Sequence, residues 1–274
     1  MILLAAMLLC ICAACALRMP GAWAQELRVE FFAFDKADAI LITTPDGQRV
    51  LIDAGMNKDG KQLVKRFAQE EIDSLDALIV THFDKDHVGG ADKVLESVRV
   101  ARVIMPQYEK ESGQYGDFVK ALKMSAGTQA DEMPARTQLS LPLAGGVTLT
   151  VTAAHETYYG KDEENDFSLC VRLCYGDTRF LFPGDAEDAR QLELMEEGDV
   201  ACDVLKAPHH GKMHDASYAF LQAASPAIAF VPDGEEEPAS PELIALLYKL
   251  GTRVYRTADG DLTVLSDGKK VWVK

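Results

Sequence analysis

The chain is poor in cysteine once its first stretch is set aside. Of its six cysteines, Cys10, Cys12 and Cys15 fall in an N-terminal apolar run, leaving Cys170, Cys174 and Cys202. Three thiols are too few for a disulfide framework. Cys170 and Cys174 lie at an even offset within the strand-like "FSLCVRLCYG", so they share one face and read as small buried hydrophobes rather than zinc ligands. Basic residues are also scarce: 28 Lys and Arg stand against 43 Asp and Glu, a net charge of −15. Without residues 1–24, which contribute only Arg18, 27 basic groups face 43 acidic ones, giving −16. Phosphate-backbone binding draws on a surplus of Lys and Arg, so no strong nucleic-acid-binding surface is expected. Low-complexity tracts, charge blocks, long linkers and obvious internal repeats are all missing, which argues for a single domain over residues 25–274.

Long hydrophobic runs are missing too, with one exception. "ILLAAMLLCICAACAL" is a 16-residue apolar run followed by "RMPGAWAQE". It falls short of the roughly 20 residues a membrane span needs. Ala22-Trp23-Ala24 fits a small-x-small cleavage site, so residues 1–24 read as a signal peptide, with Gln25 as the mature N-terminus. No Lys or Arg precedes the run. Acylation at Cys15 after Ala13-Ala14, or an uncleaved anchor, is the alternative. The expectation is a secreted or extracytoplasmic protein, with membrane contact only if the N-terminal segment is retained.

Histidine is rare and clustered: of six, none lies in the first 81 or last 60 residues. "THFDKDHVGG", residues 81–90, places His82, Asp84, Asp86 and His87 directly after the apolar run "LDALIV". That run reads as a buried strand, and Gly89-Gly90 separates the cluster from the helical "ADKVLESV". Two other strand ends carry similar chemistry: Asp185 after "RFLFPG", and His209-His210 after "DVLKAP". Strands lying side by side bring such ends into one pocket. Mixed imidazole and carboxylate donors suit Zn²⁺, Mn²⁺ or Fe. Calcium loops also use Asp-x-Asp, but calcium prefers oxygen, and the flanking histidines argue against it. Ordinary polar loop residues would account for one histidine, but poorly for four ligand types at 82, 84, 86 and 87.

Strand-like runs, "LRVEFFAF", "DAILITT" and "RVLIDAG", precede a helical "KQLVKRFAQEE". "LDALIV", "ARVIMP" and the helical "YGDFVKALKMSAG" complete a first set. A second set begins near residue 146 with "GVTLTVTAA", "DFSLCVRLCYG" and "TRFLFPGD". It continues through the helices "AEDARQLELMEEG", "DASYAFLQAAS" and "SPELIALLYKLG" and ends in "RVYRT", "DLTVLS" and "KVWVK". Two such sets imply two packed sheets with helices outside, an α/β (α+β) class.

His-x-Asp-x-Asp-His followed by Gly-Gly resembles the first metal motif of the metallo-β-lactamase fold. "FLFPGD" resembles its bridging-aspartate motif and "LKAPHHG" its last histidine motif. Within that superfamily the chain is most similar to the hydrolase domain of ComEC-type competence DNA-uptake proteins and their free-standing secreted relatives, from about Arg28 to Lys274. The resemblance implies a four-layer αββα metallo-β-lactamase-like sandwich. It implies two divalent ions, Zn or Mn: His82 and Asp84 on the first, Asp86, His87 and His210 on the second, Asp185 bridging. Asp86 and Asp185 are the implied catalytic residues, Asp86 also orienting the attacking water. His209 is expected behind the ligands. Asn165, Asp166 or His155 is expected to approach the first ion. Lys206 and Lys212 are expected near substrate. The opening "AFDKAD" keeps only Asp38 of the family's glycine-rich motif, and Lys212 stands where the family carries serine, with Ser217 nearby. True lactamases carry histidine at the Asp84 position. The expected activity is exported hydrolysis of a small-molecule or nucleic-acid phosphodiester. The alternatives are another ester or lactone substrate, or a non-catalytic metal-binding protein. Retention of Asp185 and of both ends of the ligand set favours catalysis.

Overall fold

The computed structural model describes residues 26–160, 164–198 and 200–274; the expected signal peptide lies outside them. The first half of the chain runs β1 (Leu27–Phe31), β2 (Ile40–Thr43), β3 (Arg49–Ile52), α1 (Asn57–Gln69), β4 (Ser74–Leu75), β5 (Ala77–Ile79), α2 (Lys85–Val88), α3 (Ala91–Ser97), β6 (Arg99–Val100), β7 (Arg102–Pro106), α4 (Gly113–Met124) and β8 (Gln129–Met133). The second runs β9 (Gln138–Pro142), β10 (Val147–Thr152), β11 (Cys170–Tyr175), β12 (Thr178–Phe182), α5 (Asp188–Glu197), β13 (Val204–Lys206), α6 (Ser217–Ala224), β14 (Ile228–Val231), α7 (Pro241–Lys249), β15 (Arg253–Arg256), β16 (Leu262–Ser266) and β17 (Val271–Val273).

These strands build an eight-stranded sheet, β17-β16-β1-β2-β3-β5-β7-β8, and a seven-stranded sheet, β15-β14-β13-β12-β11-β10-β9. Successive side chains alternate between the faces of a strand, and that alternation sorts the apolar residues into three cores. Val50 and Ile52 of β3, Phe180 and Phe182 of β12, and Ile228 and Phe230 of β14 meet between the sheets. Leu51 and Leu78 face outward onto Leu63 and Phe67 of α1 and Phe118 of α4. Leu181, Leu205 and Ala229 face the other way, onto Leu194, Phe220 and Leu243 of α5, α6 and α7. Helix, sheet, sheet, helix is the expected four-layer sandwich.

Within each sheet a run of parallel pairings places strand ends together: β3-β5-β7-β8 in one and β12-β13-β14-β15 in the other. The loops after β3, β5, β12 and β13 therefore open on one edge of the sandwich. Cys170 is buried in the outer core of the second sheet, and Cys174 and Cys202 are half-buried. Among the described residues no helix is long and apolar enough to cross a membrane.

Candidate metal centre

The first histidine motif leaves β5 and winds into the one-turn helix α2. Two backbone bonds anchor this turn: Asp38 N–H donates to Asp86 O, and Ala54 N–H donates to His87 O. Asp53, just past β3, then fixes the side chains. It sits in the left-handed region at φ 55°, uncommon for a non-glycine residue. One oxygen accepts from Thr81 N–H at 2.8 Å and the other from Thr81 Oγ1 at 2.7 Å. The second oxygen also lies 2.8 Å from His87 Nδ1. A carboxylate only accepts, so His87 carries a hydrogen on Nδ1, and Nε2, which faces Asp185, is the nitrogen left to meet a cation.

The same count settles His82. Thr81 has spent its one hydroxyl hydrogen on Asp53, so its oxygen, the nearer of two hydroxyls at 3.1 Å against 3.4 Å for Ser168 Oγ, accepts from His82 Nδ1. The Nε2 of His82 is thereby left with a lone pair, fully buried and without any hydrogen-bond partner. Burial first, and the neighbouring His87 second, push the His82 imidazolium down to about 4. This ring is a neutral base at physiological pH.

His209 and His210 follow β13 with φ of 43° and 54°. Two consecutive left-handed non-glycine residues are strained, and the strain sends the adjacent rings to different sides. His210 turns inward: its Nε2 is 2.8 Å from Asp185 Oδ2, 3.5 Å from Asp86 Oδ2 and 3.4 Å from His87 Nε2. His87 Nε2 is 3.2 Å from the same Asp185 oxygen. Four-coordinate zinc with bonds near 2.0–2.2 Å holds its donors roughly 3.3–3.5 Å apart. His87, Asp185 and His210, with Asp86 3.5 Å from His210 Nε2, thus offer a donor set suited to one such ion.

Asp38, His87, Asp185 and His210 also have ligand atoms within 4.8 Å of one another. Asp38, however, reaches both rings from behind, 3.8 Å from His87 Nδ1 and 3.7 Å from His210 Nδ1. It orients ligands in the way outer carboxylates do, whereas Asp86 meets His210 at the opposite nitrogen, 3.5 Å from Nε2. The charges agree with a cation site. Burial disfavours the Asp185 carboxylate, yet His210, His87 and Lys206 hold it well below the usual range. Burial likewise opposes charge on Asp86, which His210 and His87 hold strongly ionised.

The remaining expected residues divide clearly. Asp84 is turned to Lys110, which also pairs with Glu164. Lys206 is 1% exposed, bonded to Gly184 O, Asp185 Oδ1 and Asp38; it braces Asp185 from behind and does not line the cleft. Asp166 accepts from the N–H groups of Glu187 and Arg190, capping α5. His155 pairs with Glu197, 3.0 Å away, and joins the ion-pair network of α5. Asn165 donates to Glu187 at 2.8 Å and lies 3.4 Å from His209 Nε2. His209 turns outward, with Nδ1 2.9 Å from His214 and 3.0 Å from Glu187. Its Nε2 faces the Lys212 and Asn165 amino groups and so accepts. Its Nδ1 then carries the hydrogen, and the Glu187–His209–His214 group is a hydrogen-bonded network with no lone pair open on His209.

Above the donor set opens a cleft of about 410 Å³. Lys36, Lys85, Lys110 and Lys212 line it together with Asp84, Asp86 and Asp185, so lysines ring the donor carboxylates, with Lys36 also paired to Glu237 and Lys110 to Asp84 and Glu164. Lys36 lies 3.3 Å from Asp86 and 3.0 Å from Glu237. Sequence reasoning missed Asp53, Lys36, Lys110 and Glu164. A charged residue directly after an apolar strand, as in "VLIDAG", was the available signal for Asp53.

A buried imidazole–carboxylate set at the edge of an αββα sandwich defines a metallo-β-lactamase class of fold with a candidate metal site. Residues 33–232 match the metallo-beta-lactamase superfamily, and the chain belongs to it. It is 24% identical over 254 residues to ComE operon protein 3 of Bacillus subtilis (strain 168), covering 85% of this chain and 32% of that protein. It is 24% identical over 197 residues to Recombination protein 2 of Haemophilus influenzae (strain ATCC 51907 / DSM 11121 / KW20 / Rd), covering 70% and 22%. The chain spans about a third or less of these relatives. Among solved structures, CmlA, a diiron beta-hydroxylase from Streptomyces venezuelae, is similar with a TM-score of 0.54 at 14% identity, over 87% of this chain and 54% of that one. That likeness is one of fold.

Proposed function

We propose that this chain is an exported metal-dependent phosphodiesterase acting on an anionic substrate, with Zn²⁺ or Mn²⁺ held by Asp86, His87, Asp185 and His210. The observation that carries the reading is the basic rim: four lysines surround the cleft over the donor set, although the chain as a whole has a net charge of −15. Such a divalent ion would supply an acidified water and neutralise charge on a phosphoryl transition state. The chain's own groups divide the remaining work. Asp86 orients the water, Lys36 faces the same oxygen from the cleft side, and Lys85, Lys110 and Lys212 hold phosphoryl oxygens as point charges. Similarity to the competence protein of Bacillus subtilis supports a nucleic-acid phosphodiester, single-stranded DNA above all. Export would be directed by residues 1–24.

The test is hydrolysis of bis(p-nitrophenyl) phosphate and of single-stranded DNA by the protein loaded with Mn²⁺ or Zn²⁺. Turnover that disappears in Asp86→Ala, together with a raised KM in Lys212→Ala, is the expected result. Metal retention without turnover on either substrate would remove the phosphodiester reading and point to another ester or a lactone. N-terminal sequencing of exported protein is expected to begin at Gln25.

A further inference from the structure

The donor set of Asp86, His87, Asp185 and His210 accounts for one ion. A second position would fall beside His82, whose Nε2 is buried and unpartnered. Every other group within reach of that role is committed elsewhere. Asp84 is paired to Lys110, which also holds Glu164. Asn165 is spent on Glu187, Asp166 on the N-terminus of α5, and His155 on Glu197. Asp185 has one oxygen toward His87 and His210, while its other accepts from Lys206 at 2.9 Å. A bridging carboxylate needs lone pairs facing both ions, and an ammonium at that distance neutralises the oxygen it meets.

We infer that this chain holds a single ion tightly, and that the ammonium groups of Lys110 and Lys206 take over the charge-neutralising role of a second one. A lone imidazole lone pair is too few donors for a tight divalent site, whereas Lys110 and Lys206 already neutralise the Asp84 and Asp185 oxygens that a second ion would otherwise meet. The inference rests on the metal-binding reading of the site and is independent of the substrate.

Native mass spectrometry of the zinc-loaded, desalted protein tests it. His214→Ala is used as the background, so that the outer network contributes no ion. About one equivalent of zinc is expected. That equivalent should survive His82→Ala and Asp84→Asn and be lost in His87→Ala. Asp84→Asn serves as the milder control should His82→Ala unfold. Two retained equivalents, or loss of one in Asp84→Asn, would overturn the inference while leaving the metal site standing. No retained zinc or manganese in the background protein would overturn the metal-binding reading itself.

Discussion

At the scale of single residues, the centre depends on which nitrogen of each ring carries hydrogen, and Asp53 decides this for His87 directly and for His82 through Thr81. Loss of such an outer carboxylate typically weakens metal affinity about 10- to 100-fold. Asp53→Ala should show that weakening in competition with a chromophoric chelator, with little change in zinc stoichiometry at saturation. Asp166 gives a second residue-scale test, because its role is structural. Burial pushes its carboxyl from the usual 3.8 up to about 6, against the pull of the two backbone N–H groups it caps. Between those values the folded state binds more protons than the unfolded chain, so stability falls as pH rises through this window. The contribution is fully present below 3.8 and lost above 6. Asn keeps the accepting oxygen without the buried charge. Asp166→Asn should therefore melt higher than the parent at pH 7.5, with the gap closing as pH falls below 4. An equal gap at both pH values would mean the carboxylate is not what burial strains.

At the scale of elements, the loop after β5 is held against α1 by a contact only glycine permits. A Cβ on Gly90 would lie 2.2 Å from Ala54 O and 2.6 Å from Gly60 Cα, and one on Gly60 would lie 2.5 Å from Gly90 Cα. Gly90→Ala must push α3 away from α1, an overpacking cost of about 3 kcal/mol. Chemical denaturation should show that loss, and metal affinity should fall with it because His87 sits three residues upstream. The same contact explains why α1 begins at Asn57 although the apolar periodicity read from sequence starts only at Lys61. "NKDG" has no apolar residue to show, and its glycine is there for the neighbouring loop. A strand buried on both faces, such as β5 in "LDALIV", was legible as a continuous apolar run. β8, "QADEM", and β9, "QLSLP", were not read as strands, because each lies at a sheet edge with mostly exposed polar residues. The three metal motifs were legible because strand ends concentrate ligand types. Lys110 and Glu164 were not, since Lys110 lies 26 residues from its partner Asp84 and 54 from its partner Glu164.

At the scale of the whole molecule, two electrostatic fields oppose one another. The net charge of −15 repels a polyanion at long range, while the lysine rim attracts phosphoryl groups at contact. Salt separates the two, because screening acts beyond a Debye length of about 10 Å at 0.1 M and far less on partly buried pairs. A protein that grips DNA by counterion release loses affinity steeply as salt rises. Here the screened term is the repulsive one. The value of kcat/KM for a single-stranded oligonucleotide should therefore rise or stay level between about 20 and 100 mM salt, over the range where screening grows most. The value for bis(p-nitrophenyl) phosphate, a single negative charge, should change little. A steep fall with salt for the oligonucleotide would mean that the lysine rim extends into a longer basic track, and that the acidic surface lies away from the path of the strand.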